Sequence, residues 1–150
     1  MVGKRPSLKA RALSFLARRE HSRAELVRKL TPHTEDPAEI GPILDDFEAR
    51  GWLSEARFVE QSLHRLVPRY GRHRIARTLR EKGVSETSIA ASVAYLKDNE
   101  HTAAREILKR KYSGPPTTRE ERARRARFLQ SRGFDHDTIR RVIDQQDDDT

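Results

Sequence analysis

The chain has 150 residues, of which 35% are hydrophobic and 36% charged; it has no cysteine and carries a formal net charge of +8. So little apolar material predicts a thin core spread along the chain, and so an extended set of small helical units rather than one deep globule. Disulfides and thiolate metal sites are excluded, and no run of about 18 apolar residues exists to span a membrane. The opening Met1-Val2-Gly3-Lys4-Arg5-Pro6 has no apolar stretch after its charges, which argues against a secretory signal and for a cytoplasmic protein.

In chain order, Ser7 caps a first helix with Leu13, Leu16 and Ala17 expected inward. Ser22-Arg23-Ala24-Glu25 fits a capping box opening a second helix that buries Leu26 and Leu30. Residues 31–36 read as a loop, and Asp36-Pro37-Ala38-Glu39 begins a third helix with Ile40, Ile43, Leu44 and Phe47 at helical spacing, stopped by Gly51. Ser54 starts the next group, with Phe58, Val59 and Leu63 inward and Pro68 at its end. Residues 72–82 form a strongly basic helix carrying Ile75 and Leu79, and Ser85 caps a helix with Ile89, Val93 and Leu96. Asn99 is expected to start another, holding Ile107, Leu108 and Tyr112, broken by Ser113-Gly114-Pro115-Pro116. Thr118-Arg119-Glu120-Glu121 opens a helix ending at Gly133, and Asp135 caps a last one with Ile139, Val142 and Ile143 inward. No alternating apolar pattern predicts a strand. The expectation is an all-α fold of about nine helices in three tandem three-helix repeats, residues 8–51, 52–97 and 98–146, forming an elongated, curved array with a frayed acidic tail at 147–150.

Two of these passages superpose at an offset of fifty residues. Arg74, Ala76, Arg77, Leu79, Gly83 and Ile89 fall on Arg124, Ala126, Arg127, Leu129, Gly133 and Ile139, with Lys82 or Arg132 before the glycine. Such a period implies stacked helical units, and the recurring arginines put cations at corresponding places. The first group fits less well: Leu26 matches Leu79 at an offset of 53, and Leu30 replaces the glycine. Charge is blocked as well, with a net of +7 over residues 1–30, −6 over 31–60, +4 over 61–100, +7 over 101–134 and −4 over 135–150. Basic blocks on repeated helices suggest a polyanion or an acidic protein groove as partner.

Catalytic chemistry has no evident seat. The histidines at 21, 33, 64, 73, 101 and 136 include no pair at metal-ligand spacing, so no metal is expected. The adjacent carboxylates Asp45-Asp46 and Glu120-Glu121 diverge around a helix by about 100°. The glycines are isolated at helix ends, and no phosphate loop or nucleophile elbow occurs. The chain is expected to bind rather than to catalyse, with no cofactor.

Four segments in order resemble the bacterial RecX regulatory family. They are Ala12-Leu13-Ser14-Phe15-Leu16-Ala17-Arg18-Arg19-Glu20-His21-Ser22-Arg23-Ala24-Glu25-Leu26 with Lys29-Leu30, then Gly51-Trp52-Leu53-Ser54-Glu55-Ala56-Arg57-Phe58, Tyr70-Gly71-Arg72-His73-Arg74-Ile75, and Arg127-Phe128-Leu129-Gln130-Ser131-Arg132-Gly133-Phe134. The similarity covers residues 8 to about 144. One departure is Ser54-Glu55-Ala56, where members often place an aspartate; serine caps helices equally well. The resemblance implies three three-helix repeats, no cofactor, and a negative modulator that binds the RecA recombinase in the groove of its DNA filament and inhibits ATP hydrolysis and strand exchange. Some members also bind DNA directly.

Candidate contacts for RecA or DNA are Arg18, Arg19, Arg23 and Lys29 in the first unit; Arg72, Arg74, Arg77, Arg80 and Lys82 in the second; and Arg122, Arg124, Arg125, Arg127, Arg132, Arg140 and Arg141 in the third. Trp52, Phe58, Phe128 and Phe134 read as packing residues rather than platforms for bases. A stand-alone DNA-binding module is the main alternative, and an adaptor whose charged faces serve only solubility is a third reading.

Overall fold

The computed structural model describes residues 5–148. The expectations resting on residues 1–4 and on the final two residues fall outside that range. Among the described residues there are eight α-helices and no strand: α1 Leu8–Arg18, α2 Arg23–Leu30, α3 Ile40–Ala49, α4 Glu55–Leu66, α5 Arg72–Glu81, α6 Glu86–Lys111, α7 Arg119–Ser131 and α8 His136–Asp148. Short 3-10 turns at Thr31–His33 and Pro37–Glu39 link α2 to α3, so the third helix proper begins at Ile40 rather than Pro37.

The caps fall where serine, threonine and aspartate predict them. The side chains of Ser7, Ser54, Ser85 and Thr118 accept backbone N–H groups at the starts of α1, α4, α6 and α7. Ser22 and Glu25 form the reciprocal capping box, and Asp135 accepts the Thr138 N–H at 2.9 Å. At α7 the returning arm is shifted: Glu121 accepts from the Thr117 N–H and hydroxyl rather than from Thr118.

Each unit owns a core. Ala12, Leu26, Leu30, Ile40, Leu44, Phe47 and Leu53 form the first. Phe58, Ile75, Leu79, Val84, Ile89 and Leu96 belong to the second, and Leu108, Leu129, Phe134, Ile139 and Val142 to the third. The inward face of α1 differs from expectation. Ala12 is fully buried with Leu8, Phe15 and Leu16 packed beside it, while Leu13 and Ala17 are exposed.

The count falls short of nine because no helix starts at Asn99: α6 runs through 26 residues, about 39 Å. Ser92, Leu96, Glu100, Ala104 and Leu108 are all buried at four-residue spacing, one continuous stripe on α6. Its first half packs on α5 and its second on α8. The polar Glu100 in that stripe divides the hydropathy pattern and gives a continuous helix the look of two. The expected boundary at 97/98 therefore lies inside a helix. Of the expected acidic tail, Asp147 and Asp148 continue α8, and Asp147 pairs with Arg122.

Backbone-level seams join the units. At the second seam, the Gly71 N–H donates to the Arg132 carbonyl at 2.7 Å and the His73 N–H to the Gly133 carbonyl at 3.2 Å. The start of α5 has no side-chain cap, so the end of α7 supplies acceptors to its otherwise unpaired amides. At the first seam, the Ser22 hydroxyl donates to the Lys82 carbonyl at 2.6 Å. The second helices thus meet end to start, α7 onto α5 and α5 onto α2, an arrangement that aligns helix dipoles favourably. Glycine is required at these contacts. A Cβ on Gly71 would lie 2.6 Å from the Gly133 backbone, and one on Gly133 (φ +95) 2.5 Å from the Arg74 Cβ.

Candidate functional site

Each seam encloses a buried carboxylate. At the first, Glu25 is 4% exposed. It accepts both guanidinium nitrogens of Arg19 at 2.8 and 3.3 Å and the Ser22 N–H at 3.1 Å, and Lys82 Nζ stands 3.7 Å away. Burial favours the neutral acid, but the Arg19 fork, the Ser22 N–H and the nearby Lys82 outweigh it and hold Glu25 down to about 2. At the second, Arg72 stands between Glu100 at 3.1 Å and Asp135 at 2.5 Å. Here burial dominates and raises the Glu100 carboxyl despite Arg72. Asp135 is lowered, first by the Thr138 N–H.

These contacts sort the candidate cations. Arg19, Arg72 and Lys82 belong to the seams. Arg23 pairs with Asp45 and Glu48 across to α3. Arg80 pairs with Glu86, Arg122 with Asp144 and Arg140 with Asp137. Lys29 donates to His21 Nε2 at 2.8 Å above the Phe15 ring. With Nδ1 facing the Arg19 carbonyl at 3.0 Å, this geometry fits a neutral His21 ring whose pKa burial lowers. Arg125 departs most from expectation. It is 4% exposed, donates to the Gly114 carbonyl and Gln146, and lies over Tyr112, so it is a buried brace with no surface to offer a partner.

Arg18, Arg77, Arg127 and Arg141 are exposed and without an acid partner among the described residues, while Arg124, also exposed, lies near enough to Glu121 to help lower its carboxyl. Arg77 and Arg127 occupy equivalent places on α5 and α7, fifty residues apart. On the first unit, the 53-residue offset puts Ala24 there instead, so the free repeated cations belong to the second and third units.

Where those units meet, the structure adds residues that sequence reasoning missed. A cleft of about 490 Å³ is bounded by Pro68, Arg69, Arg110, Lys111, Phe128 and Arg132. Its charged lining is entirely cationic. Lys111 Nζ lies 4.1 Å and the Arg132 guanidinium 5.1 Å from the Phe128 ring centre, and Arg132 and Arg74 both lie over Tyr70. Arg110 donates to the Pro68 carbonyl. Arg69, Arg110 and Lys111 lie outside the matched repeat positions, so nothing in the fifty-residue register marks them. Trp52 is 41% exposed with Arg50 over its ring, a more open position than core packing predicts. Phe58 and Phe134 are buried as expected.

No helix among the described residues is long and apolar enough to cross a membrane, and no cluster of metal-ligating side chains occurs among them.

Comparison with known proteins bears on the same segments. Family models match three stretches: RecX, first three-helix domain, over residues 9–47; RecX, second three-helix domain, over 54–92; and RecX, third three-helix domain, over 98–143. Regulatory protein RecX of Leptothrix cholodnii is 49% identical over 145 residues, covering 95% of this chain and 92% of that one. Regulatory protein RecX of Ralstonia nicotianae is 42% identical over 137 residues, covering 91% and 86%. The crystal structure of RecX from Lactobacillus salivarius shares the fold with a TM-score of 0.73 at 20% identity, covering 93% of this chain and 94% of that one.

Proposed function

Because this chain belongs to the RecX family of regulatory proteins, we propose that it is a non-catalytic negative regulator of the RecA recombinase. It binds RecA and its DNA filament in the helical groove and inhibits ATP hydrolysis and strand exchange. The observation that carries this reading furthest is the matched pair Arg77 and Arg127. Both are exposed, unpaired among the described residues, and set at equivalent positions of successive units. A repeated cation on a serial array suits a repeating anionic track better than a single small ligand.

The test is a titration of the protein against preformed RecA–single-stranded DNA filaments, reading ATP hydrolysis at two salt concentrations. Substoichiometric inhibition is expected. Arg77→Glu with Arg127→Glu should weaken that inhibition without altering the thermal melt, since neither side chain supports the core. Unchanged hydrolysis at saturating wild-type protein would overturn the reading.

A second reading, direct DNA binding without RecA, is favoured by the cationic cleft between the last two units. Its signature is an affinity that falls steeply with salt as counterions are released.

A further inference from the structure

The geometry points to the cleft between the second and third units as a base-independent seat for the sugar-phosphate backbone of a nucleic acid strand. This deepens the proposal of a regulator acting on a DNA filament, and rests on it for its biological setting.

The argument begins with how the cations are held. Surface arginines and lysines are commonly paired with carboxylates, which cancel their charge. Here Lys111 and Arg132 are positioned by the Phe128 ring and Arg110 by the Pro68 carbonyl. A ring face or a carbonyl fixes the direction of a cation while leaving its formal charge uncancelled. Arg69 is exposed at the rim. The site is therefore cationic and preorganised, and it exists only when Pro68 and Arg69 of one unit meet Lys111, Phe128 and Arg132 of the next.

The rings also say what does not bind. Cations lie over Phe128 and Tyr70, at 4.1 to 5.5 Å from the ring centres. Those aromatics serve as cation supports, and the strand is held by its phosphates. Charge continues beyond the cleft: Arg124 lies one turn before Phe128 on the same face of α7, and Arg77 one turn beyond Arg74 on α5. A field extended over two helices matches a continuous polyanion better than a short acidic peptide.

The test uses the full chain and three dye-labelled ligands: an oligothymidylate, an abasic strand of equal length, and polyglutamate. Each is followed by anisotropy over a series of salt concentrations, with no RecA present. The wild type should hold both strands with similar affinity. Stacked bases would each add to affinity, so an abasic complex weaker by about tenfold or more would refute base-independent binding. Arg69→Glu with Lys111→Glu should weaken both strands at least tenfold. The salt dependence of log affinity should become shallower by about 1.4, two phosphates at about 0.7 each. Arg69→Gln with Lys111→Gln, read beside the far-ultraviolet dichroism of each variant, repeats the test with less perturbation. Unchanged strand affinity in a folded variant overturns the assignment, as does a loss confined to polyglutamate, which would give the cleft to an acidic protein segment. Filaments are assayed separately. A wild type that binds strands as described but leaves RecA hydrolysis untouched removes the regulatory reading and leaves the cleft assignment standing.

Discussion

At the seam joining the first and second units, the carboxylate of Glu25 is enclosed by Arg19, Lys82 and the Ser22 N–H, whereas at the seam joining the second and third, the Arg72 guanidinium stands between Glu100 and Asp135. Both seams follow one plan, in which the end of a second helix brings carbonyls to the start of the preceding second helix. The ion pairs around the buried carboxylate are opposite: Arg19 and Lys82 both face Glu25 at the first, whereas Arg72 alone serves Glu100 and Asp135 at the second. Their walls differ too. A Cβ on Gly83 would meet the Ala24 side chain at 2.5 Å, whereas one on Gly71 would meet backbone of Gly133 and Phe134. The geometry of an interface and the ionisation that tunes it are thus separable, and substitutions can address each.

The largest effects should come from the walls of the second seam. Gly133→Ala and Gly71→Ala should each destabilise the protein by about 3 kcal/mol, through a clash with backbone and, at Gly133, a left-handed φ. Urea unfolding should report the loss. Separation of the third unit's transition from the rest is expected, because its core is its own. Arg74→Gly should not rescue Gly133→Ala, since the Arg74 N remains 2.7 Å from the new Cβ.

Next in size is Gly83→Ala at the first seam, at about 2 kcal/mol, where the obstacle is a side chain. Ala24→Gly should relieve part of it, so that the double variant is more stable than the sum of the single losses, a coupling of about 1 kcal/mol. Purely additive losses would contradict the contact.

The charge contrast predicts unequal results from one chemical change. Glu25→Gln should cost about 2 kcal/mol at pH 7 by leaving Arg19 and Lys82 without their buried partner. Glu100→Gln should stay within about 1 kcal/mol of wild type, because Arg72 keeps Asp135. Equal losses would remove the distinction between the seams.

The smallest effect lies in the pH profile. Glu25 is held at about 2 against an ordinary 4.5, so its contribution is full above 4.5 and is lost as pH falls toward 2. The raised Glu100 behaves in reverse: its contribution is full below 4.5 and is lost as pH rises through its folded value. Stability measured from pH 2 to 7 should therefore show a flatter acid limb for Glu25→Gln. For Glu100→Gln, the stabilisation that protonation brings on moderate acidification should disappear.

Much of the helical layout was legible because it depends on local chemistry. Ser22, Ser54, Ser85, Thr118 and Asp135 mark helix starts by satisfying nearby amides, and Gly51, Gly83 and Gly133 mark ends by adopting positive φ. Leu26, Ile75, Leu79, Leu129 and Ile139 are buried as their spacing requires. Where the pattern misled, a tertiary contact had overridden it. Glu100 is tolerated in an apolar stripe because Arg72 from another unit meets it, and that made α6 look like two helices. Hydropathy places Leu13 and Ala17 inward, but α1 is turned so that Ala12 enters the first core and both of them are exposed.

The candidate surface divides along the same line. The sequence by itself determined the three-unit helical pattern, the recurrence of Arg77 at Arg127 and the blocks of positive charge, because these follow from residue type and spacing. Only the tertiary structure decided which cations are free. Arg125 is an inner brace, Arg72 a seam residue and Arg23 a tie to α3, while Arg69, Arg110 and Lys111, unmarked by any repeat, line one cleft with Arg132 and Phe128. An arginine's charge is written in the chain, but its availability depends on which carboxylate, carbonyl or ring the fold brings beside it.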